Sequence, residues 1–198
     1  MVEILFCCEA FVVCLKPCGP DSEHELPQML TRQLGGEIYP VHRLDRNVGG
    51  VMVYARTAAA AAALSRVVQD GTMVKEYVAL VHGLPPEEGD WTDLLFKDSR
   101  ANKVFVVKKP RAGVKSARLC FTRLAPCDPA PVRVRLYTGR SHQIRVQFAS
   151  RGFPLVGDHK YGARDSEKAP RLFSCCLSFP FGGKNHRFEA RPDWPELP

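Results

Sequence analysis

Three short segments gather the side chains whose types and spacing could do chemistry: VHRLDRNVGG at 41–50, VKEYVA at 74–79 and TGRSHQIRV at 138–146. In the first, Asp45 sits among His42, Arg43 and Arg46, ahead of Gly49 and Gly50. A carboxylate beside a guanidinium stays ionised, because the cation favours the charged form. Held in place, it can act as a nucleophile or as an electrostatic stabiliser. The same spacing suits a surface loop with a local ion pair, and spacing alone favours that plainer reading. The segment also brushes the His-Arg-Asp-Leu pattern of protein kinases. Here Leu44 and Asp45 stand in the opposite order, and the glycine-rich loop, Val-Ala-Ile-Lys and Asp-Phe-Gly elements are missing, so kinase chemistry is excluded.

In the third segment Ser141 is placed to cap a helix over 141–151, with His142, Gln143 and Arg145 in its first turn and Arg140 just before it. Helix N-termini attract anions, so cations gathered there oppose the dipole. Either a phosphate or carboxylate partner meets them, or the arginines snorkel over a solvated face. In the second segment, alternation puts Lys75, Tyr77 and Ala79 on one face of a strand and Val74, Glu76 and Val78 on the other. A lone tyrosine at such a place packs more often than it catalyses.

The elements that must position these segments follow from apolar periodicity and breakers. Strands are predicted over 4–8 and 11–15, the second stopped by Lys16-Pro17-Cys18-Gly19-Pro20. A short helix is expected over 24–34, closed by Gly35-Gly36. A strand over 37–41 leads into His42, Gly49-Gly50 makes a turn, and 51–55 is again a strand. Thr57 caps a helix over 58–69, which opens with six consecutive alanines and ends at Gly71. Strands follow over 73–81, 91–96, 103–108, 114–124 and 131–137, and the region 172–190 reads as a hairpin turning at Gly182-Gly183. Runs of strands interrupted by two or three helices indicate an α+β domain rather than β-α-β alternation.

The chain has 198 residues, 45% hydrophobic and 25% charged, an ordinary globular composition. It is read as one domain, 1–198. Lys and Arg number 28 against 21 Asp and Glu, a formal charge of +7. That suits a polyanionic partner such as RNA, and equally a charge that only maintains solubility. No apolar run approaches the roughly 20 residues needed to span a bilayer. The apolar first 15 residues carry Glu3 and Glu9 and lack a basic leader and a cleavage site, so the expected location is the cytoplasm. The eight cysteines are then expected as free thiols acting as small buried hydrophobes. Cys14 and Cys18 could begin a metal site, but no matching pair follows at zinc spacing, and no metal is expected.

Taken together, the segments are recognisable. HRLD at 42–45, KEYVALVHG at 75–83 and TGRSHQIRVQFASRGFPLVGDHKYG at 138–162 resemble, in order and spacing, the RluA-type pseudouridine synthases. FVVCLKPCG at 11–19 is similar to the opening of that family, and LSFPF with HRFEA to its last hairpin. The resemblance extends from about Ile4 to that hairpin. It implies a compact member without an S4-type RNA-binding domain.

The resemblance implies a mixed, mostly antiparallel sheet with flanking helices and a central RNA-binding cleft. It implies isomerisation of a uridine in ribosomal or transfer RNA, without a cofactor; a monomer is taken as the default state. Asp45 matches the family's catalytic aspartate, Tyr77 its active-site tyrosine, and Arg145 the arginine that pairs with the aspartate. His42, Arg43, Arg140, His142 and Gln143 match substrate-binding positions. One departure stands out. The family pattern Asp-x-x-Thr-Ser-Gly here reads Asp45-Arg46-Asn47-Val48-Gly49-Gly50, which removes two hydroxyls beside the aspartate. Two other readings remain at this point: a non-catalytic RNA-binding module on the same fold, and a metal-dependent protein using the cysteines.

Overall fold

The computed structural model describes residues 1–197. Along the chain run β1 (Glu3–Cys7), β2 (Phe11–Lys16), α1 (Glu25–Leu34), β3 (Tyr39–Pro40), β4 (Gly49–Ala55) and α2 (Ala58–Gln69). Then come β5 (Val74–Val81), β6 (Glu88–Asp98), β7 (Lys103–Val107), β8 (Val114–Arg123), β9 (Ala130–Leu136) and α3 (Gln143–Ala149). A 3-10 turn at His159–Tyr161 precedes β10 (Leu172–Phe181) and β11 (Lys184–Glu189). The chain packs as two compact units, one of Met1–Lys75 with Phe173–Pro192, the other of Glu76–Leu172 with the residues from Asp193 onward.

In the first unit the strands lie in the order β1-β2-β4-β10, with β3 beside β4 and β11 beside β10. β4 and β10 run parallel, and the other pairs are antiparallel. Val12, Val13, Val51, Met52, Val53 and Tyr54 are all buried, so β2 and β4 are covered on both faces and read as continuous apolar runs. Ala60 and Leu64 of α2 pack with Phe11, Val53, Leu177 and Phe179 in one core. The alanine run gives α2 its helical preference, and Thr57 Oγ1 accepts from the Ala60 N–H at 3.1 Å to satisfy one of its open donors.

In the second unit the order is β5-β9-β8-β6-β7. Leu95, Val104 and Ala117 present one face of this sheet to Val146 of α3. Trp91, Phe121 and Phe148 complete that layer, with ring centroids 4.4 to 5.0 Å apart. On the opposite face Arg118 lies over the Tyr137 ring and Arg111 over the Phe96 ring, each 4.4 Å from the centroid. Two-faced alternation along β8 and β9 is the period-2 pattern that their sequences carry.

Differences from the sequence reading have physical causes. Gly49-Gly50 does not make a turn but opens β4, where β10 comes close: at Gly50 (φ +125°) a Cβ would lie 2.3 Å from the Ser174 carbonyl oxygen. The strand expected over 37–41 shrinks to Tyr39–Pro40, since Pro40 has no N–H to extend a ladder. Of the thiols, Cys14, Cys175 and Cys176 are buried, and burial pushes the Cys14 thiol up to about 12. Cys7, Cys18 and Cys127 are exposed instead, so only part of the set behaves as core. Among the described residues no helix is long and apolar enough to cross a membrane, and no three His, Cys, Asp or Glu side chains are grouped to hold a metal ion.

Gly50→Ala combines a left-handed backbone with a collision against backbone atoms of β10. The expected outcome is a loss of about 3 kcal/mol or more in urea unfolding, or failure to fold.

Candidate functional site

The first unit supplies the loop 41–48 between β3 and β4. Its shape is set by polar groups brought from the β2–α1 connection. Lys16, at the end of an apolar strand, is 2% exposed. Its Nζ donates to the carbonyl oxygens of Pro17 (3.0 Å), Arg46 (2.9 Å) and Val48 (2.9 Å). An ammonium has three donors, and here all three are used. Burial lowers the Lys16 pKa, and negative charge nearby, including that of Asp45 and Asp21, pushes back. Ser22 adds a second clamp: its Oγ donates to Leu44 O at 3.0 Å and lies 3.2 Å from the Leu44 N–H. Gly19 N–H donates to Arg46 O at 2.8 Å.

Asp45 is half-buried within this clamped loop, and its carbonyl accepts from the Val48 N–H at 3.0 Å. Where the family pattern places Thr and Ser hydroxyls, backbone groups and the Lys16 ammonium hold the turn. Val48 is a core side chain, 2% exposed, and its backbone N–H and C=O both hold the turn. His42 turns inward, accepting at Nε2 from the Val53 N–H of β4 at 3.2 Å. Burial, aided by the charge of Lys75, lowers its pKa to about 3, so the ring is neutral at physiological pH. Arg43 is exposed and pairs with Glu23 at 3.2 Å. His42, Arg43 and Asp45 thus share one loop, with the histidine serving the fold and the arginine presented to solvent.

The second unit holds the other candidates. Tyr77 lies on β5 with 6% exposure. Its neighbour Glu76 pairs with Arg133 Nε at 3.1 Å, on the opposite face as alternation predicts. The segment 138–146 is a turn leading into α3. The helix starts at Gln143, later than expected, and Ser141 does not cap it: His142 precedes it in the left-handed region, with φ +50°. The cause is Gln143, which is 2% exposed. Its Oε1 accepts from Thr138 Oγ1 (2.8 Å) and the Arg140 N–H (3.1 Å), while Nε2 donates to Arg118 O (3.1 Å). Arg140 reaches Ser116 O through Nε at 2.9 Å.

Arg145 is neither snorkelling nor gathered at an open helix end. It is 8% exposed and forms a bidentate pair with Asp158, 1% exposed, through Nε (2.6 Å) and Nη2 (2.8 Å). The cation that opposed the helix dipole is explained by this internal carboxylate. Asp158 was not singled out from sequence, and neither were Lys16 and Ser22. The signal available was a lysine ending the apolar run FVVCLK, and the order Gly157-Asp158 after a buried strand-like stretch.

Two outcomes follow. Lys16→Met leaves three carbonyls without their donor and is expected to cost about 3 kcal/mol in chemical denaturation. For His42 the folded pKa, about 3, lies below its ordinary 6.5, so the unfolded chain binds the proton first. Its contribution to stability is complete above about 6.5 and falls as pH drops towards about 3. Unfolding free energy measured across that window should slope less steeply in His42→Asn than in the wild type.

Residues 11–150 match the RNA pseudouridylate synthase family, a span that contains Asp45, Tyr77 and Arg145. An uncharacterized RNA pseudouridine synthase of Chloroflexus aurantiacus is 41% identical over 136 residues, 67% of this chain and 42% of that protein. One of Aquifex aeolicus is 31% identical over 87% of this chain and 60% of its own length. The chain thus spans about half the length of these relatives. A tRNA pseudouridine synthase C of Vibrio vulnificus is 30% identical, covering 87% of this chain and 81% of that protein. Among solved structures, human RNA pseudouridylate synthase domain containing 1 superposes with a TM-score of 0.86 at 23% identity, over 100% of this chain and 86% of that one. The fold is the α+β fold of these enzymes, a mixed, mostly antiparallel strand arrangement with helices, and the chain belongs to the RNA pseudouridylate synthase family.

Proposed function

We propose that this protein isomerises a uridine within ribosomal or transfer RNA to pseudouridine, with Asp45 as the reacting carboxylate. The observation that carries the reading is the family match over 11–150, which takes in all three proposed catalytic residues. The names of two relatives point the same way. The Vibrio vulnificus protein is a tRNA pseudouridine synthase, and one from Zymomonas mobilis, 34% identical over 150 residues, is a ribosomal large subunit pseudouridine synthase.

The reaction breaks the N1–C1′ bond, turns the base and joins C5 to C1′. It is redox-neutral and transfers no group to or from a second molecule, so it needs no redox or group-carrying cofactor. Asp45 assists cleavage of the glycosidic bond, and Arg145 supplies the cation that keeps a carboxylate charged and aimed. Tyr77 stacks on the base or takes the C5 proton. The uridine must leave its stack to be reached. Arg43, exposed beside Asp45, and Arg140 contact the RNA, while His42 and Gln143, both bonded inside the fold, shape the loops around it. Lys103, Lys108, Lys109, Arg111, Lys115 and Arg118 add phosphate contacts. In this reading the two units form one catalytic domain, acting as a monomer in the cytoplasm.

The test is Asp45→Asn. Incubated with total RNA from a strain lacking the gene, the wild-type chain should leave carbodiimide-dependent primer stops at defined uridines. Asp45→Asn should leave none while retaining RNA within about twofold of wild-type affinity. Product formation by the variant at the wild-type rate would overturn the assignment.

A further inference from the structure

The turn that follows α3 is built to hold two side chains of the 138–146 segment at once. Asp158 closes it: its carbonyl accepts from the Tyr161 N–H (3.0 Å) and the Ala163 N–H (3.1 Å), and its own N–H donates to Leu155 O (3.0 Å). Gly157 brings the chain against Ala169, whose carbonyl oxygen would lie 2.0 Å from any Cβ there. From this fixed base the Asp158 carboxylate takes Nε and Nη2 of Arg145. Two parallel bonds set the plane of a guanidinium as well as its place, and so set where its Nη1 edge points.

Tyr161, three residues on, does two things. Its ring lies under the same guanidinium, with Cζ 5.2 Å from the centroid. Its hydroxyl oxygen accepts from the Val104 N–H of β7 at 2.9 Å and lies 2.9 Å from His142 Nδ1. Assigned as the donor in this contact, the phenol gives its proton to Nδ1. The ring proton of a neutral His142 is then on Nε2. His142 carries a left-handed backbone, a conformation that costs a non-glycine residue energy and persists only where its surroundings enforce it.

We propose that Asp158 and Tyr161 are positioning residues for the reaction: one turn aims Arg145 through a paired carboxylate and ring, and His142 through a phenol hydrogen bond. The proposal rests on the reading that the chain isomerises uridine, and it predicts effects on the rate of the chemical step rather than on RNA affinity. Asp158 and Tyr161 touch no reacting atom in this scheme; they act through the two side chains they hold.

The experiment uses the full chain, in excess over total RNA from a strain lacking the gene. Tyr161→Phe keeps the ring and loses the hydroxyl. It should slow single-turnover pseudouridine formation by about tenfold, with RNA retention on filters unchanged within about twofold. In a His142→Ala background the same change should have no further effect, because its target is gone. Asp158→Asn should slow the step by about a hundredfold; should it fail to fold, Tyr161→Phe carries the test alone. The bracket also has readouts without activity. In the wild type, nitrogen-15 spectra of the His142 ring should show an accepting Nδ1, and the Val104 amide should be protected from exchange; Tyr161→Phe should change both. A Tyr161→Phe enzyme with the wild-type rate, rate losses that multiply with those of His142→Ala, or an unaltered His142 ring would each overturn the proposal. A wild-type chain that forms no pseudouridine would sink the functional reading instead, and the ring and amide signals would still decide the bracket.

Discussion

One buried ammonium group organises the loop that carries Asp45. Taking Lys16 out of water is costly, and the cost is offset only because three carbonyl oxygens surround Nζ at 2.9 to 3.0 Å. Two of those carbonyls, from Arg46 and Val48, bracket the turn that begins at Asp45. The loop therefore cannot move without stranding a charge, and the aspartate is held by its backbone on both sides. Ser22 and Gly19 extend the same clamp to Leu44 and Arg46.

The second unit uses the complementary device, a buried carboxylate holding a cation. Asp158 and Arg145 are both withdrawn from solvent and bonded in two places. Such a pair adds little net stability over an apolar isostere, but removing either partner leaves an uncompensated charge. Its value lies in direction: a forked pair fixes the guanidinium in space, which a flexible surface arginine lacks. The first unit thus holds the backbone around Asp45 with a buried ammonium, and the second holds the Arg145 guanidinium itself with a buried carboxylate.

The departure from the family pattern after Asp45 also finds its place. Val48 fills core, and Gly49 and Gly50 let β4 run within contact of Lys16 and Ser174, where Cβ atoms would stand 3.1 and 2.3 Å from carbonyl oxygens. The loop is supported by backbone groups, the Lys16 ammonium and the Ser22 hydroxyl, none of which is a side chain of the two positions that depart from the pattern.

Local patterns were legible without coordinates. The alanine run after Thr57 indicated α2 with its cap, Gly182-Gly183 the last hairpin, and alternation the two faces of β5, because propensity, turn geometry and the strand period act over a few residues. The motif order was legible too, and with it the family and the residues to examine. What only the tertiary structure decided was the set of partners: Lys16 with carbonyls 30 and 32 residues away, Tyr161 with Val104 across 57 residues, and Gln143 turned inward to Arg118. The start of α3 shifted for the same reason, since a capping serine competes locally while a buried amide with three partners prevails through packing. Sequence determines what each residue can offer; which donor meets which acceptor depends on burial, and burial exists only once distant segments are packed together.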